Sequence, residues 1–380
     1  MTDAGGPGMT FDPDRLDDQA HLTEGDPTGV LPAVASSMAH VRTARRAAVE
    51  ADVARLTRFG RPRAIVVAGM GGSVIAGDVL AAVCGNGAPL PIVTAGGDRL
   101  PGWVGAADVV IAVSRSGDTP ETLGLAAEAV RRGCSTMGVG RADSPLETVL
   151  ARGGGPYVRL AGEAQTGTLW ETAVPLVVAA SSLGLADADD DAFEAAAGRL
   201  EDIAHRCRPS SESFINPGKT LATELAGSIP MIWGTSPLAV AAARWTAFRL
   251  NEIAKYPAIW GALPDNLHQG AAFAGPLAGR DIFADPFDDE PGEGVRLRLV
   301  VLRDAEEHER APGRRAEAMR LAEERGVPVS EIVAEGAHPL ERLATLIGLC
   351  DYGSAYLALG YGVDPAPLSE ITELKARISP

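Results

Sequence analysis

The chain has 380 residues, 46% of them hydrophobic and 22% charged, which is enough for two globular domains. Its formal net charge of −16 disfavours nucleic acid and anionic membranes as partners, because both would be repelled. The four cysteines form no CxxC pair, the N-terminus lacks the apolar core of a signal peptide, and no apolar run predicts a membrane span, so we expect a cytoplasmic protein.

The first half of the chain alternates short apolar strands with helices. Residues 1–32 are expected to form an extended arm, and a helical pattern follows at 33–59. Strands are then predicted at residues 64–68, 91–94, 109–113 and 136–139. Helical stretches such as residues 120–132 separate these fully apolar strands, which indicates a parallel sheet covered by helices on both faces.

The same alternation restarts in the second half, after a helix-rich join at about residues 168–207. Strands are predicted at 229–233, 296–303 and 329–333, and helices at 237–254, 310–324 and 340–359. We therefore predict an α/β protein with two doubly wound parallel-sheet lobes, each with helices on both faces. The predicted division is an arm at 1–32, a first lobe at 33–185 and a second lobe at 186–380.

A glycine-rich turn, Gly69-Met70-Gly71-Gly72-Ser73, joins the first predicted strand to a helix. Glycines permit a tight turn and a close ligand, and the N–H groups of a helix N-terminus favour an anion. A dinucleotide site is disfavoured, because Val74 replaces the third glycine of the fingerprint and the next strand does not end in an acid. A P-loop would need Gly-Lys-Ser/Thr, which is absent, and a simple structural turn stays open.

A second turn, Ser114-Arg115-Ser116-Gly117-Asp118-Thr119, follows another buried strand and opens a helix. Its three hydroxyl groups and the helix N–H groups can donate hydrogen bonds to phosphate oxygens without adding charge. One hydroxyl would be explained as a helix cap. Three within six residues favour a phosphate cradle.

These two motifs, Gly-Met-Gly-Gly-Ser and Ser-x-Ser-Gly-x-Thr, resemble the sugar isomerase (SIS) fold family. Within it the chain is similar to the bifunctional phosphoglucose/phosphomannose isomerases, including their actinobacterial relatives, over about residues 33–380. The resemblance implies a homodimer with sites near the subunit interface and no metal or other cofactor. The implied substrate is a sugar phosphate whose phosphate is contacted by Gly71, Gly72, Ser73, Ser114, Ser116 and Thr119.

Two residues of the second half are candidates for proton transfer. Glu252 lies late in a predicted helix, and His268 lies in a predicted loop sixteen residues later. By itself Glu252 would be expected to pair with Lys255 or Arg249 across one helical turn. The resemblance implies instead that Glu252 moves a proton between C2 and C1 through a cis-enediol, and that His268 opens the sugar ring. It also implies that Lys375 orients the sugar or assists ring opening, although a solvated lysine explains that residue equally well.

The sequence also departs from the family pattern. Gln165-Thr166-Gly167 replaces the usual Gln-Pro-Arg, so the arginine expected to stabilise the enediolate is absent. Gln269-Gly270 follows the histidine in place of Asn-Glu, Ala366 replaces a threonine, and Arg115 stands where tyrosine is common and is a candidate substitute cation. The alternative function is therefore a catalytically weakened protein that binds a sugar phosphate. A sugar-sensing transcription regulator or an amidotransferase is disfavoured, because a basic helix-turn-helix segment and an N-terminal cysteine nucleophile are absent.

Overall fold

A computed structural model describes residues 9–160, 168–278, 295–365 and 369–378. The chain divides into two compact units. The five-stranded unit comprises Ser36–Glu201 and Gly336–Ala344. The four-stranded unit comprises Met1–Ala35, Asp202–Glu335 and Thr345–Pro380. The two units are discontinuous in sequence, whereas the predicted lobes are continuous, so the lobe boundaries at residues 33 and 186 stay predictions.

The helices are α1 (Gln19–Glu24), α2 (Val30–Ala35), α3 (Ser37–Glu50), α4 (Gly72–Cys84), α5 (Pro120–Arg131), α6 (Pro145–Ala151), α7 (Leu169–Ser182), α8 (Asp190–Arg206), α9 (Pro217–Leu225), α10 (Pro237–Glu252), α11 (Ala311–Glu324), α12 (Pro339–Gly360) and α13 (Ser369–Ile378). The strands are β1 (Ile65–Gly69), β2 (Ile92–Ala95), β3 (Val109–Ser114), β4 (Ser135–Arg141), β5 (Tyr157–Leu160), β6 (Ser228–Gly234), β7 (Ile259–Ala262), β8 (Arg296–Arg303) and β9 (Val329–Val333). Within the described residues, 3-10 helices span Pro13–Leu16, Val53–Phe59 and Leu267–Ala274.

The sheet of the five-stranded unit is parallel throughout, with strand order β2-β1-β3-β4-β5. All residues of β1 and β3 are buried, as expected for strands covered on both faces. Helices α5 and α6 contact each other and the sheet, and α4 and α7 form a second such group with α3. The buried side chains of Val66, Val110 and Leu125 belong to one cluster that joins β1 and β3 to α5.

The sheet of the four-stranded unit is also parallel, with strand order β7-β6-β8-β9. Trp233 of β6, Leu299 and Val301 of β8 and Ala322 of α11 are buried in one hydrophobic cluster. The predicted α/β fold of parallel sheets with helices on both sides is therefore confirmed.

Two local expectations were wrong. The predicted N-terminal arm is not extended in its described part, since residues 9–35 contain α1, α2 and a 3-10 helix. The N–H of Asp12 donates to the carbonyl of Gly360 at 3.0 Å, so this segment packs on the four-stranded unit. The helix predicted at 33–59 is interrupted, because Asp52 adopts a left-handed conformation with φ 52° between α3 and the following 3-10 helix.

Among the described residues, α12 alone has the length and mean hydropathy (1.3) of a membrane-spanning helix. No such segment is expected from the apolar runs of the sequence. However, 94% of its most apolar 18-residue window is buried within the protein, as in the core helix of a folded domain.

Candidate active site

The first candidate site lies where the strand order of the five-stranded sheet reverses. From β1 the chain adds β2 on one side and β3 on the other, and ligands of open parallel sheets bind in the crevice that such a reversal leaves at the carboxyl edge. The glycine turn (residues 70–73) follows β1, and the serine turn (residues 114–119) follows β3. Because Gly69 lies opposite Val113 in the paired strands, the two predicted phosphate turns are neighbours at this crevice.

The glycine turn leaves β1 close to the end of β3. A β-carbon added at Gly69 would lie 2.8 Å from the carbonyl oxygen of Val113 and 3.2 Å from Cβ of Ser73. Gly71 has φ 56° and ψ −131°, a conformation that residues with a side chain rarely adopt. The turn therefore needs its glycines, and it brings Ser73 and the start of α4 against the strand ends.

The helices that follow both turns begin without a side-chain cap. Gly71 is the N-cap of α4 and has no side chain, and Thr119, the N-cap of α5, makes no capping hydrogen bond. By contrast, Ser144 caps α6 by accepting the N–H of Glu147 at 3.4 Å. The N–H groups in the first turn of a helix have no partner within the helix, so α4 and α5 both offer donors to an anion.

The hydroxyl groups of the serine turn are arranged in two ways. Ser114 is buried, accepts the N–H of Gly117 at 3.1 Å and lies 3.0 Å from Oγ1 of Thr119, so it holds the turn together. Ser116 is only partly buried and donates its hydroxyl to the carboxylate of exposed Asp118. The structure therefore gives Ser114 an internal role, and Asp118 competes with any phosphate for the hydroxyl of Ser116.

Arg115 points away from its serine neighbours toward the start of α7. Its Nη1 donates to Oε2 of Glu171 at 2.8 Å, and its Nη2 donates to the carbonyl of Thr168 at 2.8 Å. The side chains of Arg115 and Glu171 are 20% and 11% exposed. The charge of this candidate substitute cation is thus balanced by a carboxylate beside it.

His40 lies beside the group formed by Arg115, Thr168 and Glu171, and the sequence did not indicate it as a site residue. Its Nδ1 lies 3.0 Å from Oγ1 of Thr168, which forms a capping box with Glu171 at the start of α7. Burial lowers the pKa of His40, the nearby carboxylate of Glu171 raises it and the guanidinium of Arg115 lowers it further. The Thr-x-x-Glu pattern at residues 168–171 is the sequence signal that would have indicated the capping box.

The second candidate site lies in the four-stranded unit and centres on Glu252, the last residue of α10. Its Oε2 accepts a hydrogen bond from Nη1 of Arg249 at 2.7 Å, so the expected pairing across one helical turn is present. Lys255, the other expected partner, directs its Nζ to the backbone carbonyls of Ile253 and Asp364 at 3.4 and 3.2 Å. The Glu252 side chain is 27% exposed, so its carboxylate is accessible to a ligand.

His268 is exposed and lies in the 3-10 helix Leu267–Ala274, not in the irregular loop that was expected. Its neighbour Gln269 fixes this segment, because its Oε1 accepts from Nε1 of Trp233 at 2.7 Å and its Nε2 donates to the carbonyl of Trp260 at 3.3 Å. Gln269 therefore acts as an anchor at the position where the family usually has asparagine.

Within one chain, the segments that follow Glu252 and include His268 contact opposite ends of strand β6. Just after α10, the hydroxyl of Tyr256 accepts the N–H of Ser228, the first residue of β6, at 2.8 Å. His268 instead adjoins Gln269, which is bonded to Trp233 near the last residue of β6. At about 3.3 Å per residue, the five steps from Ser228 to Trp233 span about 17 Å. These contacts therefore favour separate positions for the predicted base and the ring-opening histidine within a single chain.

Comparison with known proteins agrees with this architecture. Residues 214–378 match the family model described as the bacterial phospho-glucose isomerase C-terminal SIS domain. Two relatives named bifunctional phosphoglucose/phosphomannose isomerase are similar over most of the chain. The protein from Caldicellulosiruptor bescii is 28% identical, over 83% of this chain and 89% of its own length. The protein from Aquifex aeolicus is 27% identical, over 83% of this chain and 90% of its own length.

A solved structure titled as a glucose-6-phosphate isomerase like protein from Thermus thermophilus superimposes with a TM-score of 0.56. It covers 95% of this chain and 98% of its own, and at 19% identity it supports the fold alone. The predicted resemblance to the sugar isomerase family is confirmed.

The remaining expectations from the SIS family fall partly outside the described residues. Gln165-Thr166-Gly167, where the family usually has its arginine, and Ala366 lie outside them. Lys375 lies within α13, but its side chain is not described. The described residues contain no group of three or more His, Cys, Asp and Glu side chains suited to a metal ion.

Proposed function

We propose that the chain is a phosphosugar isomerase that converts glucose 6-phosphate and/or mannose 6-phosphate to fructose 6-phosphate. The observation that supports this most is the pair of turns at the β1/β3 reversal, where two uncapped helix N-termini adjoin several hydroxyl groups. The names of the curated relatives agree with this activity.

The proposed phosphate site uses neutral donors in a strongly acidic protein. The N–H groups of Gly71 and Gly72 and the hydroxyl of Ser73 would face the phosphate from α4, since the N–H of Ser73 donates to the carbonyl of Met70 at 3.1 Å. Ser116 and Thr119 would face it from the start of α5. Positive potential comes from the two helix dipoles, each equivalent to about half an elementary charge at its N-terminus. Ser114 would support the phosphate site by holding the serine turn through Gly117 and Thr119.

The proposed proton transfer uses Glu252 as the base that removes the C2 proton and returns a proton to C1 through a cis-enediol. His268 would exchange a proton with the ring oxygen and so open the pyranose, which suits an imidazole near neutral pH. Lys375 is proposed to orient the sugar or assist in this ring opening. Neither proton transfer requires a metal or another cofactor in this scheme.

We further propose a homodimer, in the cytoplasm, whose catalytic sites each combine Glu252 of one chain with the partner's His268. The support is that the segments beside Glu252 and His268 contact opposite ends of β6, through Tyr256 and Gln269. A residue that acts on the ring oxygen and a base that acts on C2 must lie within one small sugar, so a second copy is the simplest source of the missing partner.

A second candidate function is a sugar-phosphate-binding protein with weakened catalysis. The sequence lacks the family's arginine at residues 165–167, and the guanidinium of Arg115 is engaged by Glu171 and the carbonyl of Thr168. Loss of a cation that stabilises the enediolate typically lowers the rate by two to three orders of magnitude, or about 100- to 1000-fold. In that case binding of a sugar phosphate would persist while turnover would be slow.

The test is hydrogen exchange at C2. The purified protein is incubated with mannose 6-phosphate in heavy water, and the loss of the C2 proton is followed by NMR beside a known isomerase. We expect exchange with the wild type and none with E252Q, which keeps the shape of the side chain but removes the base. If the wild type shows no exchange but is stabilised against heat by mannose 6-phosphate, the binding function replaces the isomerase function.

A further inference from the structure

A buried carboxylate lies behind Glu252, with an arginine between them. Asp351 of α12 is 1% exposed, and its Oδ1 accepts a hydrogen bond from the indole Nε1 of Trp245 at 2.8 Å. Its Oδ1 lies 3.4 Å from Nε of Arg249, and Nη1 of Arg249 donates to Glu252 at 2.7 Å. The side chain of Arg249 is 7% exposed, and its guanidinium lies over the ring of Trp245 at 5.5 Å. One cation thus bridges a buried carboxylate and an accessible one.

The stability of the fold does not explain why Arg249 is shared by the carboxylates of Asp351 and Glu252. Arg249 and Asp351 alone would form a neutral buried pair, whereas Glu252 adds a second negative charge. Glu252 also ends α10, where the helix dipole disfavours a carboxylate. Moreover, Oδ2 of Asp351 is buried without a hydrogen-bond partner in the part of the chain that the structure describes. Burial raises the pKa of Asp351 to about 6, Arg249 lowers it and Glu252 raises it, so the charge of Glu252 acts on the buried carboxylate.

We propose that Asp351 is a positioning residue for the reaction: through Arg249 it fixes the carboxylate of Glu252 and limits how strongly the guanidinium neutralises it. This rests on the proposed role of Glu252 as the base. If Asp351 were uncharged, Arg249 would pair with Glu252 alone, which would stabilise the ionised carboxylate and weaken it as a base. The guanidinium would also lose one of the two contacts that set its orientation, because Trp245 supplies only the stacking surface.

The test compares D351N with the wild type. Asparagine has nearly the same shape and keeps an oxygen for Trp245, so the main change is the lost charge. We expect kcat for the conversion of mannose 6-phosphate, and the rate of C2 exchange, to fall about ten- to hundredfold with KM nearly unchanged. W245F, which removes the indole donor to Asp351 and leaves a smaller ring under Arg249, is expected to lower kcat by a smaller factor and serves as a second variant if D351N folds poorly.

The matched control is E307Q. Glu307 forms the same kind of buried pair in the same unit, with its Oε1 3.4 Å from Nε of Arg315 and side chains that are 7% and 12% exposed. Its substitution should lower the melting temperature about as much as D351N does and leave kcat unchanged.

The outcomes separate this inference from the proposed function. A wild-type protein that does not exchange C2 refutes the proposed function, and the inference fails with it. An active wild type whose D351N variant loses no more kcat than E307Q refutes the inference alone. A loss in D351N that appears only as a higher KM also refutes it, because positioning of the base acts on the chemical step.

Discussion

The separation of Glu252 and His268 allows a quantitative test of sites shared between two chains. E252Q and H268A should each be inactive alone, because each removes one residue from every site. In a dimer that contains one chain of each variant, one site has lost both residues and the other combines the intact Glu252 with the partner's intact His268. A heterodimer should therefore have about half of the wild-type kcat, and a random mixture of the two chains about a quarter.

The expectation of a shared site follows from the sheet geometry. The contacts of Tyr256 and Gln269 with β6 are about 17 Å apart along the strand, which exceeds the size of one sugar. The two variants are produced together with different affinity tags, and doubly tagged dimers are isolated and assayed for C2 exchange. Each variant homodimer serves as the control for residual activity. Heterodimers that bind mannose 6-phosphate but show no more exchange than the homodimers would refute the shared site.

Three further predictions concern the five-stranded unit. D118N should strengthen binding of a sugar phosphate about threefold to tenfold in calorimetry, because it removes the negative charge that holds Ser116. G117A should weaken the same binding more than tenfold, because Gly117 has φ 71° and an added β-carbon would lie 2.4 Å from Cβ of Ser144. The wild type should lose thermal stability as pH falls below about 6.5, and H40N should lose less, because burial lowers the pKa of His40 from its usual 6.5.

The sign of the pH effect follows from proton binding. Unfolded chains bind the His40 proton more readily than the folded protein does, so protonation favours unfolding as pH falls through the unfolded pKa. Equal pH dependence in the wild type and H40N would contradict this.

For the glycine prediction, G124A is the control, since a β-carbon there has no neighbour within 4 Å and should leave binding intact. D118N with unchanged affinity would show that Asp118 does not face the phosphate.

Most of the strands could be predicted because their apolar runs are long and end in turn residues. β8 and β9 match their predicted bounds, 296–303 and 329–333, to the residue. β5 and β7 were missed because each is a four-residue edge strand with exposed positions. Arg159 breaks the apolar run of β5, and Gly261 lies within β7. Backbone conformation, such as the left-handed Asp52, is likewise not visible in a periodic pattern.

For the candidate site, the sequence predicted which residues lie in the turns but not what their side chains contact. Ser114 and Ser116 look equivalent in the motif, yet only Ser114 is buried, because strand β3 extends to include it. The partners of Arg115 and Trp245 lie 56 and 106 residues away, at Glu171 and Asp351. Such long-range pairs depend on tertiary packing, which no local pattern contains.

The two sheets show why strand topology alone does not predict a phosphate site. The four-stranded sheet also reverses its order at its first strand, and β6 is followed by hydroxyl residues and a helix. There, however, Ser236 accepts the N–H of Ala239 at 3.1 Å and donates to Asp304 at 2.7 Å, while the N–H of Asp304 donates to Thr235 at 3.1 Å.

The N-terminus of α10 is therefore capped by Ser236, whose hydroxyl is held by the carboxylate of Asp304. A phosphate there would meet both a capped helix and a negative charge. At the β1/β3 reversal the corresponding helix N-termini have no side-chain cap. What distinguishes a binding crevice from a structural one is thus whether the first helical N–H groups are already satisfied by side chains. On this criterion we expect each chain to bind one sugar phosphate, in the five-stranded unit.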